Sequence, residues 1–237
     1  MIFRFLPLIT SPTKITCLDK SELEFIDTYK YLGFWLDSSL SFKTHINTLL
    51  TKVRARIGFL YRNKASFTYE AKNTLVKMTI LPILDYGDFI YRIATKTVLS
   101  KLDTIYHSAI RFVTGAPYLT HRCDLYSLIQ WPSLHIRRQI HWFSYIYKSI
   151  IGKTPPYLSS LLNIATKSLN LRSSKYINLD LPSVRIDFGC HSFQYSAAFD
   201  WNELQKTLKL DSLISLPCLK KQLHEIVTDD VCSCPAR

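Results

Sequence analysis

Residues 41–62 read SFKTHINTLLTKVRARIGFLYR, and their pattern determines the fold class. Apolar residues recur here at steps of three and four, the period of an α-helix with one buried face: Phe42, Ile46, Leu49, Leu50, Val53, Ile57 and Leu60. The same period predicts further helices at about 68–81, 83–93, 97–114, 122–130, 133–151, 192–204 and 215–227, with a short one ending near 163. Pro82, Gly115 and Gly152 supply breaks after three of them.

Short strands are predicted on either side of this helical region. Residues 14–18, 23–26 and 29–36 are β-branched or aromatic and separated by polar residues, which favours hairpin-paired strands. Further strands are predicted at 176–180 and 184–188, after a polar stretch at 166–175 that is typical of a linker. We therefore expect a mainly α fold with a short N-terminal β-ribbon (α+β). The expected regions are the β-ribbon, a basic helical region, a mixed C-terminal region and a loose tail, at 1–40, 41–163, 164–228 and 229–237.

The positive charge is concentrated in the middle of the chain. The 237 residues carry a net charge of +12, and residues 43–148 hold 16 basic against 5 acidic side chains. Basic helix faces interleaved with aromatic residues favour a nucleic-acid partner, although charge alone leaves acidic membranes and acidic proteins open. From charge and periodicity we predict a set of nucleic-acid-binding residues: Lys52, Arg54, Arg56, Arg62, Arg137 and Arg138.

Patterns that would indicate catalysis or a bound cofactor are weak. The six glycines form no phosphate-binding loop and no nucleophile elbow. Asp85 and Asp88 could share a Mg²⁺ ion, which keeps a small metal-dependent hydrolase as an alternative, but Gly87 between them suits a helix junction better. His224 with Cys232 and Cys234 leaves a zinc ion short of a ligand, and the adjacent Cys190 and His191 favour a packed loop. We predict no catalytic residue, no metal site and no cofactor.

The sequence also bears on the compartment. Its six cysteines form no Cys-x-x-Cys pair, which favours a reducing environment. The apolar start, residues 1–9, is short and lacks a cleavage site, and the apolar stretch 136–151 contains Arg137, Arg138, His141 and Lys148. We expect an intracellular protein, nuclear or cytoplasmic, with no membrane partner.

An ordered series of motifs resembles reverse transcriptases of LINE-type (non-LTR) retrotransposons. It begins at Tyr29-Lys-Tyr-Leu-Gly-Phe-Trp-Leu-Asp37 and Ile80-Leu-Pro-Ile-Leu-Asp-Tyr86-Gly87. It continues through Lys153-Thr-Pro-Pro-Tyr-Leu158, Leu171-Arg-Ser-Ser174, Trp201-Asn202 and Leu219-Lys-Lys-Gln-Leu223. The resemblance covers roughly residues 29–225 and implies the end of the palm, a helical thumb-like bundle and the region after it.

The resemblance carries functional expectations. It implies that Tyr31, Leu32 and Gly33 form a primer grip and that the following helices hold an RNA/DNA template-primer. The family's fingers and its aromatic-Ala-Asp-Asp turn lie upstream of the matched part, so the expected product is a non-catalytic polymerase fragment, with Mg²⁺ required in the complete parent enzyme alone. The alternatives are a protein-interaction module, which could meet the fingers and palm, or an unexpressed retrotransposon remnant.

Overall fold

A computed structural model describes residues 26–165 and 176–227. Helices dominate these residues, and a two-stranded antiparallel sheet precedes them, so the predicted mainly α class with a short N-terminal β-ribbon is confirmed. The chain divides into two compact units, residues 1–129 and 130–237. This boundary falls inside the predicted helical region 41–163 and distributes its basic helices between the units. The predicted strand at 14–18, nearly all of that at 23–26, the linker at 166–175 and the tail at 229–237 lie outside the described residues.

The first unit opens with a tight β-hairpin. Strand β1, Thr28–Tyr31, pairs with β2, Phe34–Asp37, so that Tyr31 lies opposite Phe34. Leu32 and Gly33 form the turn with φ values of 46° and 90°. Two consecutive positive φ values are the geometry of a turn whose twist matches the flanking strands. The segment 29–36, predicted as one strand, therefore folds back on itself at Leu32 and Gly33.

Five helices of the first unit follow the hairpin: α1 (Lys43–Arg62), α2 (Tyr69–Thr79), α3 (Leu81–Asp85), α4 (Lys96–Thr114) and α5 (Arg122–Ile129). The apolar stripe predicted for α1 is buried throughout, and α1 packs mainly against α4. Gly115 ends α4 with φ of 71°, as expected for a helix stop. The predictions for the segments around 41–62, 97–114 and 122–130 are confirmed.

The predicted helix at 83–93 is wrong. Helix α3 ends at Asp85, Tyr86 is extended, and the chain turns at Gly87 before a short 3-10 segment at Tyr91–Ile93. Gly87 has φ of 60°, and a Cβ atom there would lie 2.2 Å from Cζ of Phe34. The glycine thus leaves space for the hairpin's Phe34, a tertiary requirement that helical periodicity cannot reveal.

The second unit contains α6 (Leu134–Ile150), α7 (Pro156–Ser159), α8 (Asp187–Cys190), α9 (Phe193–Leu208) and α10 (Leu216–Val227). Helix α6 packs against α9 and α10. The two predicted strands at 176–180 and 184–188 are not found among the described residues. The first segment contributes only an isolated bridge between Leu179 and Ile164, and the second runs into the single-turn helix α8.

Helix α9 holds the segment 177–179 with side chains. The Trp201 indole donates to the Ile177 carbonyl, and the Asn202 amide both accepts from the Leu179 N–H and donates to the Leu179 carbonyl. Because one side chain satisfies both backbone groups of Leu179, that residue needs no strand neighbour on this side. Trp201 and Asn202, which form one of the quoted motifs, therefore have a structural role.

None of the helices in the described part of the chain is apolar over a length sufficient to cross a membrane.

Candidate nucleic-acid interface

The hairpin turn presents its side chains to solvent on a fixed base. Tyr31 and Leu32 are 56% and 70% exposed. The Tyr86 hydroxyl donates to the Leu32 carbonyl at 2.9 Å, and the Tyr86 ring stacks on Phe34 with centroids 5.3 Å apart. The predicted primer-grip residues Tyr31, Leu32 and Gly33 are thus brought together in one turn, and the second quoted motif supplies the tyrosine that holds it.

Beneath the turn, an aromatic box joins the hairpin to α1. The His45 ring lies among Phe34, Tyr91 and Phe42, with ring centroids 4.9, 5.4 and 6.4 Å away, and His45 is 2% exposed. Neither ring nitrogen has a hydrogen-bond partner among the described residues. Burial, assisted by the positive charge of Lys52, lowers the pKa of His45 to about 4. The box is therefore neutral at pH 7, and Lys52 lies near enough to act on it.

Asp37 determines how β2 continues into α1. Its carboxylate accepts hydrogen bonds from the backbone N–H groups of Ser39, Ser41 and Phe42 at 3.1, 2.9 and 3.1 Å, and from both serine hydroxyls. Partial burial acts to raise the pKa of Asp37, but these hydrogen bonds outweigh it and bring that pKa below its ordinary value. The ionised carboxylate therefore stabilises the connection that fixes the hairpin relative to α1.

The predicted cations of α1 are all exposed but do not share one side of the helix. At about 100° per residue, Lys52 and Arg56 lie together, whereas Arg54 is about 200° away from Lys52. The Arg56 guanidinium donates to the Thr79 carbonyl at 2.8 Å and so ties α1 to the end of α2. Arg62 lies in the last turn. A single nucleic-acid strand could not contact all four side chains at once.

Arg137 and Arg138 belong to the second unit, on α6. Contrary to the expected exposed cationic face, Arg138 is buried, with 7% of its surface exposed, because α6 buries residues on more than one side. Both arginines also have interactions within the protein.

Among the remaining sequence candidates, ligand oxygens of Asp85 and Asp88 lie within 4.8 Å of each other, which is close enough to share a metal ion. Asp85 ends α3, and the buried Asp88 follows in the turn, where its N–H donates to the Asp85 carbonyl at 3.3 Å. Cys190 is half-buried at the end of α8, and His191 follows it. Of the proposed zinc ligands, His224 lies on α10, and Cys232 and Cys234 lie outside the described residues.

Sequence reasoning missed the supporting residues of the hairpin. Phe34 and Tyr86 belong to the quoted motifs and His45 lies at the start of α1, but the sequence does not show that together they hold the turn that carries Tyr31 and Leu32. The available signal was the presence of two aromatic-glycine motifs, Tyr31-Leu32-Gly33 and Tyr86-Gly87. Their spacing in the sequence does not show that the two motifs are in contact.

Parts of this chain are similar to curated RNA-directed DNA polymerases of mobile elements. The RNA-directed DNA polymerase from mobile element jockey of Drosophila funebris is 30% identical over 155 residues, which are 63% of this chain and 16% of that protein. The predicted resemblance to non-LTR retrotransposon reverse transcriptases is confirmed. The jockey polymerase of Drosophila melanogaster is 31% identical over 109 residues, 45% of this chain and 12% of that protein. A probable RNA-directed DNA polymerase from transposon X-element of the same species is 26% identical over 100 residues, 41% of this chain and 11% of that protein.

This reverse-transcriptase-like chain spans 11% to 16% of the length of these three relatives. No family model and no solved structure matches it. The relatives are enzymes by name, and the similarity supports a polymerase-derived region here.

Proposed function

We propose that the first unit holds a template-primer nucleic acid, with the Tyr31–Gly33 turn against the primer end and with Lys52 and Arg54, which lie on opposite sides of α1, near phosphates of different strands. Similarity to RNA-directed DNA polymerases supports the class of partner. The observation that carries the proposal is the turn itself. Its two exposed side chains rest on a base fixed by Tyr86 and Phe34, and a fixed apolar contact can position a strand end without reading its sequence.

Uncompensated charge supplies the affinity in this proposal. In the described part of the chain, no acidic side chain pairs with Lys52, Arg54 or Arg62. Cations without acidic partners can neutralise phosphates and release counterions, which gives sequence-independent and salt-sensitive binding. Arg56 has a structural contact with Thr79, and Arg138 is buried, so we do not assign either of them a primary role.

We further propose that these 237 residues hold a primed strand but do not extend it. Two-metal phosphoryl transfer needs carboxylates that hold both ions, and no aromatic-Ala-Asp-Asp sequence occurs in the chain. Binding should therefore need no Mg²⁺. Primer extension by the purified chain with Mg²⁺ and all four dNTPs would overturn this part of the proposal.

Fluorescence anisotropy with a labelled RNA/DNA hybrid tests the binding. The double variant Lys52→Glu/Arg54→Glu should weaken binding about tenfold or more at about 50 mM salt and reduce the slope of log K against log salt by about two. The matched control is Lys220→Glu/Lys221→Glu on α10, which changes the net charge equally at exposed positions of the second unit. Equal effects of the two double variants would contradict a specific role for α1.

A separate measurement tests the turn. Tyr31→Ala should reduce the preference for a hybrid with a recessed 3′ end over a blunt hybrid, while the salt dependence stays as in the unsubstituted protein. Unchanged preference would remove the turn from the proposal and leave the α1 charges.

One observation favours a protein-interaction module as a second candidate. Tyr31, Leu32, Tyr86 and Ile90 are all exposed around the turn and could meet an apolar protein surface. Absence of any hybrid binding at about 50 mM salt would favour this candidate.

A further inference from the structure

A second aromatic and cationic surface lies in the first unit, where α1 ends and α4 enters the loop 115–121. Three of its side chains form a continuous series of contacts. The Tyr61 ring packs edge-on against Phe112 at 5.3 Å, and the Tyr61 hydroxyl donates to the Ser108 carbonyl at 3.2 Å. Lys72 on α2 lies over the Phe112 ring at 5.9 Å. This surface is distinct from the hairpin turn and is not used by the proposed function.

Arg111 and Tyr118 are the outer members of this surface. The Arg111 guanidinium lies over the Tyr118 ring at 5.5 Å and donates to the Thr120 carbonyl at 3.3 Å. Tyr118 is nevertheless 84% exposed. Because the cation covers one face of the ring and little else covers the remainder, an aromatic face is held in position and open to solvent.

The charge of Arg111 is incompletely satisfied. Its Nε atom is buried without a hydrogen-bond partner among the described residues, and no carboxylate there pairs with its guanidinium. A partly buried guanidinium without an anion is unfavourable, and a bound phosphate would satisfy it. The local field has the same sign: after burial, the charges of Arg111 and Arg122 help to lower the pKa of the neighbouring His107 to about 4.

We propose that Arg111 and Tyr118 form a binding site for single-stranded nucleic acid, in which an unpaired base stacks on the open face of Tyr118 and the adjacent phosphate binds Arg111. An exposed aromatic face beside a cation that pairs with no carboxylate among the described residues fits an unstacked base and its phosphate. A duplex offers its phosphates but keeps its base faces covered, so it cannot use the ring. An acidic peptide without aromatic residues, such as polyglutamate, offers charge but no ring to stack.

The test compares two labelled probes, a ten-nucleotide oligo(dT) and a blunt RNA/DNA hybrid. Tyr118→Ala should weaken oligo(dT) binding about fivefold or more and leave hybrid binding within about twofold, while Tyr118→Phe should retain both. Leu119→Ala is the matched control, because Leu119 is the adjacent loop residue and is 90% exposed but has no aromatic ring. Tyr118 has almost no buried surface to lose, so its truncation should leave the fold unchanged by circular dichroism.

The outcomes separate this site from the proposed function. Unchanged oligo(dT) binding in Tyr118→Ala, or an equal loss in Leu119→Ala, would overturn the single-strand site even if the Lys52/Arg54 reversal still weakens hybrid binding. Competition by polyglutamate as effective as that by unlabelled oligo(dT) at equal charge would also overturn it, since that result would indicate charge without stacking. Selective loss of oligo(dT) binding in Tyr118→Ala would support the site whatever the hybrid result.

Discussion

Replacement of His45 by phenylalanine should reduce the pH dependence of stability between about pH 6.5 and pH 4. In the folded protein, His45 is enclosed by aromatic rings at 4.9 to 6.4 Å, 2% exposed, and its pKa is about 4. In the unfolded chain the pKa returns to about 6.5. Between these values the unfolded state binds the proton and the folded state does not. The free energy of unfolding therefore does not depend on the titration of His45 above about pH 6.5, decreases as the pH falls from there, and levels off below about pH 4.

The magnitude follows from the difference between the two pKa values. At about 1.4 kcal/mol per pH unit, the full effect would be about 3 kcal/mol. Phenylalanine keeps the aromatic contacts and removes two ring nitrogens that lack partners, so it should change stability at pH 7.5 by less than about 1.5 kcal/mol.

The assay is guanidinium denaturation at several values from pH 4.5 to 7.5, monitored by circular dichroism and tryptophan fluorescence. The decisive quantity is the difference in the free energy of unfolding between His45→Phe and the unsubstituted protein at each pH. The contributions of all carboxylates to the pH dependence cancel in that difference. The contribution of His107, whose pKa is also lowered, cancels as well. His224→Phe serves as the control, since His224 is exposed. If the His45→Phe and unsubstituted curves are parallel over this range, the reasoning about the aromatic box is wrong.

Three further outcomes can be measured. Gly87→Ala should destabilise the protein by about 2 to 4 kcal/mol in denaturant titrations, because the new Cβ would lie 2.2 Å from Phe34 and φ is 60°. Gly152→Ala is the control: φ is 68° but no atom lies within 4 Å of the new Cβ, so the loss should be about 1 kcal/mol. Equal losses of stability in the two variants would contradict the steric argument. Asp37→Ala should lower the free energy of unfolding by about 1 to 2 kcal/mol at pH 7. The difference from the unsubstituted protein should disappear as the pH falls below about 3.8 and through the lowered pKa of Asp37. A difference that does not depend on pH would show that the charge of Asp37 is irrelevant. Chelation of divalent ions with EDTA should leave RNA/DNA hybrid anisotropy unchanged, and a loss of binding would reveal a required metal.

Helices could be predicted from the sequence wherever one buried face repeats over several turns. In α1, Ile46, Val53 and Leu60 mark a stripe that stays buried along the whole helix, so local periodicity and tertiary packing agree. The helix predicted at 83–93 was wrong because the residues of this segment pack in two different places. Leu84 is buried in α3, whereas the chain must turn at Gly87 to admit Phe34 from the hairpin, more than fifty residues earlier.

The sequence predicts which helices are rich in basic residues, but it does not predict which of those basic side chains are exposed and which contact the rest of the protein. Charge density identified α1 correctly as a basic helix, yet periodicity alone did not show that Arg56 contacts Thr79 or that Arg138 is buried. Both facts depend on which neighbours pack against a helix, and a single sequence does not contain them. Arg111 and Tyr118 were absent from the predicted set for the same reason, since their contact forms across the loop that follows α4.

The two aromatic-glycine motifs acquire a common physical explanation from this structure. Gly33 allows the tight turn, and Gly87 leaves the space in which Phe34 can reach Tyr86 and His45. Gly87 is needed because the Phe34 ring of the other motif lies 2.2 Å from the position of a Cβ there, whereas Gly33 is needed because its φ is 90°, and a Cβ at Gly33 would make an ordinary contact of 3.4 Å with Tyr86. A substitution at either glycine would therefore displace the exposed turn, at Gly33 through the backbone and at Gly87 through the Phe34 ring. If the turn positions a primer end, displacement by about 1 Å is enough to impair that function, so damage at Gly87 should reduce the preference for a recessed 3′ end without any change in the charges of α1.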